Sequence, residues 1–368
     1  MTSPNVPKLS VRSIADLIAA VPYLLGFHPT QSIVVVALRG KRLVFAARVD
    51  LPTADATPDT RQATANHLAA VVAKQNTETA TVIGYGPAER VTPIADATAA
   101  ALRRTGLEVM DVLRVTDGRY WSYTCDNPEC CPPQGTPFDP DSSHIAAAAI
   151  FAGQVALPDR EALQRQVAEA DGAERAAMQR ATDRAEERLA ALLRDAGPTD
   201  PLGGRALQEA GEAAVRQAME RHRDGGRLSD DEVAWLSLLL LHIPVRDHAW
   251  ELMESVDWQV ALWTDLVRRV QPELVAPPAS LLAFAAWRLG QGALASVALE
   301  RARQAVPDYS LALLLEEVLQ NGIPPSMLDA GPEVGLAGPG SRRPRRSRRQ
   351  PRRRSRRRPP HATRSAPL

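Results

Sequence analysis

The chain has 368 residues, 45% of them hydrophobic, which is enough for a sizeable core and more than one domain. Its formal net charge of +1 is segregated: residues 341–368 hold 13 Arg and no acid, which leaves 31 basic against 43 acidic residues, a charge of −12, in 1–340. Three cysteines exclude a disulfide framework, the apolar run "VAWLSLLLLHIP" (Val233–Pro244) is far short of the roughly 20 residues of a spanning helix, and "MTSPNVPKLSVRSIADL" lacks a signal-peptide pattern, so a cytoplasmic protein without a membrane partner is expected.

In chain order, Ser13 is an N-cap for "IADLIAA", a helix expected to break before Pro22. "SIVVVAL" (Ser32–Leu38) is a β-branched run read as a buried strand, and after Arg39 and Gly40 the segment "RLVFAARVD" (Arg42–Asp50) completes a hairpin. Residues 59–75 read as a helix, "ATVIGYG" (Ala80–Gly86) as a strand ending in a glycine turn, 92–104 as a helix and "LEVMDVLRV" (Leu107–Val115) as a strand. The "DG" pair Asp117–Gly118 signals a second hairpin into "RYWSYT". Strands interleaved with helices imply an α/β N-terminal domain, a mixed sheet with flanking helices, over residues 1–154.

After Pro158 the strand signals stop, and an all-α helical array is expected over 158–328, joined near Ala156–Arg160. One long helix is expected over 159–194, then helices at 204–223, 229–242, 246–255, 257–270, 278–290, 292–306 and 309–320, punctuated by Gly and Pro. Leu282, Gly290, Ala295, Leu299, Ala302 and Pro307 stand at the offsets of one tetratricopeptide-like helix pair, too few units for a peptide-binding groove. Residues 329–368, rich in Arg and Pro, cannot bury enough apolar area to offset chain ordering and are expected to be a disordered tail. Its arginines, Arg342–Arg358, suit weak, sequence-independent binding to nucleic-acid phosphates. The same composition also arises when a G+C-rich message is read out of frame.

No phosphate-loop, dinucleotide, H-E-x-x-H or G-x-S-x-G motif is present, and the short "GYG" turn at Gly84–Gly86 is weak evidence for phosphate. All three cysteines fall in "GRYWSYTCDNPECCPP" (Gly118–Pro133). The plainest reading of Cys125, Cys130 and Cys131 is small buried sulfurs packing a proline-rich turn. Zinc is the competing cofactor, with His144 or His28 as a fourth ligand, although adjacent cysteines on an extended chain face opposite ways. A catalytic or redox thiol is the third reading, without an obvious base nearby. Gly26 and Pro29 pin His28 just before the first strand, where it serves as a ligand, a general base or a local cap. Asp50, Arg119 and Ser122 sit at or near strand ends, where α/β folds place ligands, and each alone also reads as a salt bridge or turn former.

The segments P-Y-L-L-G-F-H-P (Pro22–Pro29), G-R-x-W-S-Y-x-C (Gly118–Cys125) and C-C-P-x-x-G-T-P (Cys130–Pro137) resemble an actinobacterial family defined only as a domain of unknown function. The resemblance covers most of residues 10–325 and implies a cytoplasmic protein, with no established activity. The leading functional expectation is a non-enzymatic protein that binds a small ligand or a protein partner. The alternative is a hydrolase or transferase with a His/Cys site in the α/β domain.

Overall fold

In the computed structural model of the protein, residues 13–40, 42–140, 143–196, 200 and 202–329 are described. The chain begins with α1 (Ile14–Leu25), β1 (Ser32–Arg39), β2 (Arg42–Asp50), α2 (Pro58–Ala73), β3 (Thr79–Tyr85) and α3 (Ala88–Arg104). It continues through β4 (Glu108–Thr116), β5 (Arg119–Ser122), β6 (Thr136–Pro137) and α4 (His144–Phe151). The strands form one mixed sheet in the order β2-β1-β3-β4-β5-β6, in which only β3 and β4 are parallel. α3 makes the crossover that a parallel pair requires.

β1 is buried along both faces because the sheet is covered on each side, as its unbroken β-branched run foretells. Ile33, Val35 and Val82 face Leu68 and Val72 of α2 and Ile94 and Leu102 of α3. Val34, Val36, Ile83 and Leu113 face Leu17, Ile18 and Val21 of α1. Gly84 lets α3 come close to β3: a Cβ there would lie 2.1 Å from Val91 Cγ1. The glycine of the "GYG" turn therefore has a packing role.

Among the described residues, helices alone follow: α5 (Arg160–Gln166), α6 (Gly172–Arg194), α7 (Gly204–Arg223), α8 (Asp230–Leu239), α9 (Ile243–Glu251), α10 (Asp257–Arg269), α11 (Ala276–Arg288), α12 (Gly292–Ala305), α13 (Ser310–Gln320) and α14 (Ser326–Asp329). They share one core with Trp263 and Phe284 fully buried, and the Trp250 ring stacks on Phe284 with centroids 3.6 Å apart. The repeat-like pattern falls on α11 and α12, which pack against each other.

The structure corrects several boundaries. α1 runs through Pro22 to Leu25, since burial of Leu17, Ile18 and Val21 outweighs the hydrogen bond proline removes. α3 starts at Ala88 and contains Pro93. The long helix over 159–194 is two helices: the chain leaves helical form between Val167 and Asp171, where Ala170 N–H donates to Arg268 O, and α6 opens on Gly172 at φ +52°. Pro244, in the first turn of α9, starts that helix at Ile243 rather than at 246. α4 has no counterpart in the sequence reading.

The described residues up to Met327 form one compact unit. Phe27, just after α1, is 2% exposed and lies in the core of the helical half, and its neighbours clasp the joint: His28 N–H donates to Leu157 O (2.9 Å) and Leu157 N–H to Gly26 O (2.8 Å). The Arg-rich segment Arg342–Arg358 lies outside the described residues.

Candidate metal centre

Asp117 and Gly118 have φ of +50° and +68°, the left-handed pair of a tight hairpin turn, so β4 passes directly into β5. The register opposes Arg114 to Trp121, and the Arg114 guanidinium stacks 3.6 Å from the indole centroid. Trp121 Nε1–H donates to Pro133 O at 3.0 Å, and Gly135 lies against the ring. Arg119 donates to Gly135 O at 2.8 Å. On the other face, one oxygen of Asp111 accepts from Ser122 Oγ (2.7 Å), Thr124 Oγ1 (2.6 Å) and the Val112 N–H (2.8 Å). Tyr123 N–H donates to Val112 O, and its hydroxyl hydrogen-bonds to Thr92. Both ends of the 123–135 loop are thereby tied to the sheet edge.

Its apex is curled rather than extended. Asn127 Oδ1 accepts from Glu129 N–H at 3.0 Å, and Asn127 O accepts from Cys131 N–H at 2.8 Å, closing a single helical turn. The curl removes the strand alternation that would send Cys130 and Cys131 to opposite sides. Cys125 Sγ is 3.2 Å from Cys130 Sγ, and the three sulfurs lie within 4.8 Å of one another. A tetrahedral cation with Zn–S bonds of about 2.3 Å spaces its sulfurs by about 3.8 Å, so the trio is close to chelating geometry.

All three are free cysteines, Cys130 exposed and the other two half-buried, so the expected buried sulfur packing is replaced by thiols in reach of solvent. Hydrogen bonds from the Cys130 and Cys131 thiols and from backbone at Asn127 stabilise the Cys125 thiolate and lower its pKa. The Cys131 thiol is pushed up to about 12, first by its hydrogen bond to Cys125 and then by burial. The opposed shifts favour a thiolate at Cys125 over one at Cys131.

The family signature described as Domain of unknown function (DUF4192) matches residues 15–326. The chain belongs to the DUF4192 family. No curated protein and no solved structure matches it. The DUF4192 span includes the whole three-thiol loop.

Within this DUF4192 chain, Arg119 and Ser122 are brought to the loop as anchors. His144 is not one of the grouped donors: it opens α4, with Nδ1 3.3 Å from Asp16 Oδ1. His28 precedes β1 at the end of the sheet where Ser32 pairs with Tyr85, whereas Cys125 follows β5 towards the opposite end, with β3 and β4 between the two strands. Asp50 pairs with Ser32 at the His28 end and accepts from Arg48 at 2.6 Å. Asp111, Arg114 and Asn127 are the loop's supports that the sequence reading missed. Alternation along β4 could have indicated the first two, since it places Asp111 on the Ser122 face and Arg114 opposite Trp121.

Proposed function

We propose that the protein is a binding protein whose ligand is a thiophilic cation of the zinc class, held by Cys125, Cys130 and Cys131. The observation that carries this reading is the convergence of the three sulfurs on a loop pinned at both ends. A pinned loop lowers the ordering cost of binding, and thiolates select soft or borderline cations over magnesium or calcium. Asp111 is the outer support, fixing Ser122 and Thr124 beside the first cysteine. The alternative, a hydrolase or transferase built on His28 and a thiol, receives less support because His28 and the thiols belong to opposite ends of the sheet.

The test is metal content. Full-length protein purified without chelator is expected to carry one zinc per chain, or to take up one Co²⁺ with sulfur-to-metal charge-transfer absorption. Cys125→Ser, Cys130→Ser and Cys131→Ser should each weaken uptake at least tenfold. Protein that binds neither ion, with its thiols reduced and titratable, would exclude the reading.

A second, separate proposal concerns the 13 arginines of residues 341–368, which suit weak, sequence-independent binding of nucleic acid. Arginines making about 6–10 phosphate contacts lose roughly 10³–10⁵ in affinity between 50 and 200 mM salt. Duplex DNA titrated at several salt concentrations should bind the full chain with a steep salt slope, and not a chain truncated after Asp329. Equal binding by the two chains would remove the tail's role.

A further inference from the structure

Resting on that cation-binding reading, we propose that the fourth coordination position of the three-thiol centre is open to a soft donor from outside the chain, a small thiol or an imidazole. The loop would then be a ligand-exchange site rather than a closed structural knuckle. Closed zinc sites take four protein donors, and three protein donors leave one position for an exchangeable ligand.

Four observations point to an open corner. Among the described residues, the convergent donor group holds Cys125, Cys130 and Cys131 and no histidine or carboxylate. Asp111, whose charge is felt at Cys125, has one oxygen already accepting from Ser122, Thr124 and the Val112 N–H. His144 is engaged with Asp16. Cys130 is exposed, so the trio is accessible to a molecule arriving from solvent. A thiolate or imidazole entering there would replace water and match the softness of the three sulfurs. The loop's own exposed acids, Asp126 and Glu129, are the competing internal donors.

The experiment uses full-length protein loaded with one equivalent of Co²⁺ and desalted. Titration with imidazole should shift the visible bands saturably, with one imidazole bound per cobalt. Titration with 2-mercaptoethanol should raise the charge-transfer band by about one third as a fourth sulfur joins three. Asp126→Asn and Glu129→Gln should leave the starting spectrum unchanged. A centre that loads but responds to neither titrant has a closed coordination sphere, and the inference fails while the cation-binding reading stands. An altered starting spectrum in either carboxylate variant, or a metal-dependent doubling of mass, assigns the fourth donor to this loop or to a second copy and also overturns it. Failure to load with cobalt or zinc removes both readings together.

Discussion

Gly135 shows how one position supports the thiol loop from outside it. A Cβ at Gly135 would lie 2.5 Å from the Trp121 ring, and its φ of +79° is one that a side chain resists. Gly135→Ala must therefore move Trp121 out of its stack on Arg114 or move the loop away from β5. Strain of this kind costs about 1–3 kcal/mol. The expected result is a lower melting temperature together with weaker cobalt uptake, although no thiol has been altered. A variant that melts lower while binding cobalt as tightly as the wild type would separate the packing from the site. The two arginines nearby are not interchangeable supports: Arg114 acts through the face of a ring, and Arg119 through a carbonyl.

Elements differ in how far sequence alone locates them. β1, the Asp117–Gly118 turn and most of the later helices are legible because local chemistry and burial agree there: a β-branched run, a left-handed pair, Gly and Pro at the ends. The break between α5 and α6 is not, because it depends on Ala170 reaching Arg268, a contact almost a hundred residues away. The curl that gathers the cysteines is half legible. Asn-Pro marks a turn, but the alternation rule applied to Cys130 and Cys131 presumes an extended chain, and Asn127 makes it helical for one turn. A further expectation concerns α7. His222 Nε2 is buried without a partner, and burial lowers the imidazole pKa, helped by Arg227 and Arg269 and opposed by Asp265. Since the folded pKa is the lower one, the titration of His222 costs no stability above the unfolded value of about 6.5. Stability is lost as pH falls below that value, because the unfolded chain then takes up a proton that the folded chain resists. His222→Gln should flatten the decline in melting temperature between pH 8 and 5 relative to wild type. Parallel declines in the two proteins would assign the acid sensitivity elsewhere.

For the whole molecule, the change from strands to helices after Pro158 suggests two folding units, 1–154 and 158–328, and we propose that each folds separately and then docks on the other. Gln75 donates to Gly322 O at 2.5 Å, Lys74 lies 3.2 Å from Asn321 Oδ1, and Phe27 is inserted in the helical core, so the halves have much to hold them together. Limited proteolysis near Ala156–Arg160 is therefore expected to give two fragments that co-elute on gel filtration and part only in denaturant. Fragments that separate under native conditions would rule out the docking, and a joint that resists cleavage until global unfolding would rule out separate units. The clasp at Phe27 and Leu157 has its own consequence for backbone dynamics. The amides of His28 and Leu157 belong to no extended strand, yet each is hydrogen-bonded across the joint beside a side chain that is 2% exposed. In deuterated water these two protons should persist with those of the central sheet, and their release would time the moment at which the halves come apart.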